Sequence, residues 1–146
     1  MSTHNLEFSF ESSASPEALF AVITDGANWA KHARPLIAAS SWAHRGDGPP
    51  GAVGDVRTLW MGPIRLREET LEYDAPRKHV YALLQPAPIK DYVSTVTITP
   101  KGTGSHVHWA TTFADKIPGS GAVLAKALKP GLAQVAKKLA KAAERA

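Results

Sequence analysis

The sequence predicts an α+β fold: a curved antiparallel sheet of six to seven strands wrapped around a long C-terminal helix, with two short helices after the first strand. Three observations predict it. Residues from about Asp55 to Phe113 read as strands joined by short turns, and such turns require antiparallel neighbours. Leu124, Leu128, Leu132, Val135, Leu139 and Ala142 form one apolar stripe at helical spacing, with Lys126, Lys129, Lys137, Lys141 and Arg145 opposite and Lys138 at the flank. A helix of about 25 residues would be ~38 Å long and cannot bury its stripe alone. The first strand-like segment and its helix-opening signal lie far upstream, so the chain starts the sheet, makes a helical bend and returns to the sheet.

Each element has its own signature. Leu6, Phe8 and Phe10 alternate with Glu7, Ser9 and Glu11, the pattern of a half-buried strand. Ser15-Pro16-Glu17 opens a helix, with Ser15 as N-cap, Pro16 at the first helical position and Glu17 at the positive end of the dipole. Leu19, Phe20 and Ile23 make its apolar face, and Asp25-Gly26 ends it. Asn28 to about Ala33 predicts a second short helix, stopped by Pro35. Ser40 to Arg45 reads as a strand.

Gly46-x-Gly48-x-x-Gly51 in the following loop matches the dinucleotide fingerprint as a string. Pro49-Pro50 fills its variable positions and no helix follows, so a nucleotide site is rejected. Strands are then predicted over Asp55–Met61, Ile64–Asp74, Lys78–Gln85, Asp91–Pro100 and Ser105–Phe113. Gly62-Pro63, Ala75-Pro76-Arg77, Pro86-Ala87-Pro88 and Lys101-Gly102-Thr103-Gly104 divide them. Ser120, after Pro118-Gly119, is expected to cap the last helix, and Pro130-Gly131 to kink or break it.

With 146 residues and no cysteine, the chain reads as one domain spanning 1–146, without disulfides, thiolate zinc sites or a cysteine nucleophile. The first residues lack the basic and apolar regions of a signal peptide, and no apolar run reaches membrane-spanning length; a cytoplasmic location is the expectation. The net charge of +4 is uneven: from Lys126 onward there are six basic residues and one acidic. The plain reading is a solvated helix face. The sharper one is a weak contact with an anionic surface, nucleic acid or lipid.

Several stretches, in order, resemble a known family. They are Ala14-Ser15-Pro16-Glu17-Ala18-Leu19-Phe20-Ala21-Val22 with Asp25, then Gly54-Asp55-Val56-Arg57 and Arg67-Glu68. Tyr73-Asp74-Ala75-Pro76-Arg77, Val80-Tyr81, Gly104-Ser105 with Trp109, and Pro118-Gly119-Ser120-Gly121 follow. Together they resemble a polyketide cyclase/dehydrase-like member of the superfamily that includes START domains and the Bet v 1 allergen. The resemblance implies the helix-grip fold, an internal cavity and an apolar or aromatic small-molecule ligand. The resemblance implies that most members bind such a molecule and only some catalyse a reaction, so the fold does not choose the function.

Strand parity nominates the cavity wall. Arg57, Leu59 and Met61 share one face. Ile64, Leu66 and Glu68 share another, and of the neighbours Glu68 and Glu69 both this alternation and the resemblance favour Glu68 as the inward one. Tyr81 with Leu83, Tyr92 with Ser94, and Trp109 with Val107 complete the sheet side; Leu124, Leu128 and Leu132 supply the helix side. Paired across a hairpin, Arg57 and Glu68 either set strand register as a buried ion pair or orient a polar ligand group. In the second case Glu68 could serve as a general base beside a carbonyl polarised by Arg57 and Tyr81 or Tyr92. The tyrosines are also ordinary core aromatics. Trp29 and Trp42 are expected near the mouth. His106-x-His108 has a zinc-like spacing, but its parity points outward and no third ligand is evident beyond a chance approach of His44 or His79, so no metal and no cofactor is expected. Three readings remain: a carrier or sensor of an apolar small molecule, a cyclase or dehydratase, and an interaction module using the basic helix.

Overall fold

A computed structural model describes residues 3–145; Met1, Ser2 and Ala146, assigned by the sequence to the ends of the domain, lie outside them. The elements are β1 (Thr3–Ser12), α1 (Pro16–Thr24), a 3-10 turn (Gly26–Asn28), α2 (Trp29–Ala33), β2 (Ala39–His44), β3 (Val56–Met61), β4 (Ile64–Asp74), β5 (Lys78–Leu83), β6 (Lys90–Lys101), β7 (Gly104–Ala114) and α3 (Ser120–Glu144). Seven strands form one antiparallel sheet in the order β1-β7-β6-β5-β4-β3-β2. Consecutive strands pair from β2 to β7, and β1 forms the other edge, beside β7. Register shifts at Trp42/His44, Thr70/Glu72 and Lys90/Val93 add the local twist that bends a sheet around a helix.

The local signals operate as read. Ser15 Oγ accepts the Ala18 N–H at 3.2 Å and caps α1. The alternation in β1 buries Leu6 and half-buries Phe8 and Phe10. One core unites Leu19, Phe20 and Ile23 of α1, Val96 and Ile98 of β6, Val107, Trp109 and Phe113 of β7, and Val135, Ala136 and Leu139 of α3.

α3 departs from expectation in three ways. Its N-cap is Gly119, not Ser120; Ser120 is already helical, and its hydroxyl turns back to the Ile117 carbonyl at 2.6 Å. The helix runs unbroken through Pro130, so the predicted break does not occur. Its buried face in the second half is Val135, Ala136, Leu139, Ala140 and Ala143, with Ala142 only half buried. Leu124, Leu128 and Leu132 of the first half are also only half buried. Both ends are tied. At the start, Asp115 binds His4 Nε2 at 2.7 Å and the Gly119 N–H at 3.3 Å. At the end, Ser12 Oγ donates to Glu144 Oε2 at 2.6 Å. Gly121 has no side chain for a packing reason: a Cβ there would lie 1.8 Å from Asp115 Oδ1 and 2.3 Å from His4 Nε2.

Candidate ligand cavity

The tethered ends hold the first half of α3 across the concave face of the sheet without filling it. The space between is a cavity of about 200 Å³. Leu59 and Met61 from β3, Leu66 and Glu68 from β4, Tyr81 and Leu83 from β5, and Tyr92 from β6 form the sheet wall. Leu124, Leu128 and Leu132 form the helix wall, all as the stripe and strand parities predict.

Two predicted wall residues are set back. Trp109 is completely buried behind the wall, against Phe8, Trp29 and Tyr81. Arg57 is also off the lining, because Glu68 and the rings of Trp29 and Tyr81 stand around its guanidinium. Conversely, Trp29 is no mouth residue. It is 2 % exposed, its Nε1 donates to the Ile23 carbonyl at 2.9 Å, and it lines the cavity. The sequence reading also missed Ile37, Pro88, Ile89 and Val135. Val135 continues the helical stripe and was legible there. Ile37, Pro88 and Ile89 lie outside the regular elements, where no periodicity marks an inward side chain.

Arg57 and Glu68 are directly opposed in the β3–β4 register. Arg57 Nε donates to Glu68 Oε1 at 2.9 Å. Nη2 is also 2.9 Å from that oxygen, but without the alignment of a hydrogen bond. Nη1 reaches the Ile23 carbonyl at 3.4 Å. The guanidinium carbon lies 3.7 Å from the Trp29 ring centre and 4.4 Å from that of Tyr81, so aromatic faces replace much of its lost hydration. Gly26 makes room for the arginine stem: a Cβ there would stand 2.5 Å from Arg57 Cδ. Burial pushes the Glu68 carboxyl above its ordinary value, and the charge and hydrogen bond of Arg57 hold it back. Glu69, its neighbour, points to the other face and is half exposed, which settles the choice between them.

Burial also raises both cavity tyrosines, Tyr81 well above its usual value and Tyr92 to about 12; the Ser94 hydroxyl interacts with both and opposes the shift. Ser94 is in turn hydrogen-bonded to Thr111 at 2.7 Å. The tyrosines therefore stay neutral hydroxyls at physiological pH.

The rejected motifs resolve simply. Gly46 and Gly51 of the glycine-rich loop donate backbone N–H groups to Asp55 at 2.8 and 3.0 Å, Arg45 adds a third bond at 2.8 Å, and strand β3 follows instead of a helix. His106 and His108 point outward toward Glu11 and Glu7. His79 is buried and His44 exposed, and among the described residues no three His, Cys, Asp or Glu side chains gather as a metal site.

Comparison with known proteins agrees with this architecture. Residues 3–144 match the family model described as polyketide cyclase / dehydrase and lipid transport. The chain belongs to this family. Among solved structures, a START superfamily protein from Mycobacterium smegmatis superposes with a TM-score of 0.81 at 16% identity, over 97% of this chain and 98% of that one. Ara h 8.0201 gives 0.77 at 15% identity, over 99% and 100%. A point mutant of Thalictrum norcoclaurine synthase, in complex with a transition-state analogue, gives 0.77 at 15% identity, over 97% and 94%. At these identities the likeness establishes the helix-grip fold. No functionally curated protein matches the chain.

Proposed function

We propose that this chain binds an apolar or aromatic small molecule between α3 and the sheet, as a carrier or sensor. The observation that carries the reading is the cavity itself: about 200 Å³ with an almost wholly apolar lining, set beside the hydrophobic core. Protein interiors normally pack to the density of organic crystals, and an engineered apolar cavity of roughly 150 Å³ takes up benzene. A space of this size suits one or two fused rings. Native mass spectrometry of freshly purified protein tests it, together with thermal melts in the presence of small aromatic compounds. A bound ligand at a hundred times its Kd stabilises by about 2.7 kcal/mol. That raises the melting temperature by roughly 5–10 °C for a chain of this size. If nothing is retained and no apolar compound shifts the melt, the proposal fails.

One observation favours a second reading, a cyclase or dehydratase acting on a hydrophobic, polyketide-like substrate. Glu68 faces the cavity with its pKa raised by burial, as a general base requires. In that reading Tyr81 and Tyr92 are the groups within the cavity that would polarise a carbonyl. Arg57, behind the wall, positions the carboxylate. Glu68→Gln separates the two: a carrier keeps affinity for a plain hydrocarbon, whereas an enzyme loses turnover by ~10²–10⁴ while still binding.

A further inference from the structure

The lining contains few polar side chains: Trp29, Glu68, Tyr81 and Tyr92. The Trp29 N–H is held by the Ile23 carbonyl. Tyr81 and Tyr92 present hydroxyls, which can donate as well as accept. Arg57 is off the lining. Glu68 is different. It lines the cavity at 6 % exposure, and Arg57 bonds only its Oε1. Among the described residues, Oε2 accepts no hydrogen bond. An ionised carboxylate accepts and cannot donate, so an unused carboxylate oxygen in an apolar enclosure is matched by a ligand donor.

We propose that the ligand is an uncharged, mainly apolar molecule of one or two fused rings, carrying an N–H or O–H that donates to Glu68 Oε2. The inference rests on the reading of the cavity as a ligand site. Charge balance selects neutrality. Arg57 already compensates Glu68, so an ammonium ligand would leave an extra positive charge in an apolar space. A carboxylate ligand would set like charges side by side.

Indole and benzofuran test this, because they share a shape and differ by an N–H against a ring oxygen. Their affinities for the wild-type protein, measured by calorimetry with benzoate and benzylammonium as charged controls, should place indole first. Its advantage over benzofuran should be roughly tenfold, the size of one good hydrogen bond to a charged acceptor after desolvation. In Glu68→Gln the amide oxygen must turn to Arg57, which can only donate. The amide NH₂ then faces the cavity, and the preference for indole should vanish or reverse. Benzofuran binding the wild type as tightly as indole, or benzoate or benzylammonium binding more tightly than indole, overturns the proposal while leaving the ligand-site reading intact. If none of the four compounds binds, the ligand-site reading falls, and this inference with it. The wild-type comparison stands even if the variant does not fold.

Discussion

His79 lies on β5 with 1 % of its surface exposed. Its Nε2 is 3.0 Å from the Gly51 carbonyl and 3.2 Å from the Thr70 hydroxyl. A carbonyl only accepts, so Nε2 carries the proton and the ring is neutral. Nδ1 is buried without a partner among the described residues. Protonating it would bury an unmatched N–H, and burial first and the Arg57 charge second lower the pKa to about 4, against the opposing bond to Gly51. The unfolded chain takes up this proton near pH 6.5 and the folded one only near 4, so between those values the unfolded state binds more protons and stability decreases as the pH is lowered. Full stability from this group is present above about pH 6.5. From there to pH 4 the expected loss is about 3 kcal/mol. Urea unfolding of wild type and His79→Gln at pH 7, 5.5 and 4 checks it: the wild type should lose that much more than the variant. Equal losses would show that His79 is not the linked group.

At the scale of the element, α3 joins two helices of different character. Its second half is anchored by Val135, Leu139 and Ala143 in the core; its first half offers Leu124 and Leu128 half exposed over a cavity, with Val123 70 % exposed. Between them Pro130 removes a backbone donor and Gly131 adds freedom, although the helical path continues. Local opening free energy follows buried contact, so amides of 121–129 should exchange at least ~10-fold faster than those of 134–142. A ligand in the cavity should slow exchange in the first half selectively. Uniform protection along the helix, with and without an aromatic ligand, would contradict this division. Pro130→Ala should narrow the difference, because a mid-helix proline costs about 3 kcal/mol relative to alanine when nothing compensates it.

For the whole molecule, the positive excess is confined to one edge. Lys126, Lys129, Lys137 and Lys141 are exposed on α3, opposite the face that meets the core, and Arg145 is exposed at its C-cap. Among the described residues, no helix is long and apolar enough to cross a membrane. The seven-stranded sheet uses the other face of α3, so the cavity and the basic residues lie on different faces of the helix. Binding to vesicles of anionic lipid should therefore be weak and disappear between about 50 and 150 mM salt, as expected of exposed charges beyond a Debye length of ~10 Å. Binding that survives physiological salt would establish a docking surface.

Local pattern made most of the fold legible. Period-two alternation, the Ser15 cap and the helical stripe report on nearest neighbours along the chain, and each is decided by backbone geometry that the residues themselves impose. The same parity brought Arg57 opposite Glu68 and turned Glu68, not Glu69, inward. Parity names a face but not a depth. Only the tertiary structure put Trp29 in the cavity wall and moved Arg57 and Trp109 behind it, because depth depends on which rings from other elements arrive first. Gly26 and Gly121 have meaning only against Arg57, Asp115 and His4, residues distant in sequence. The sequence by itself determined a sheet, a stripe and an inward carboxylate. The cavity between them was decided by how α3 is tethered at both ends across a curved sheet that it does not fill.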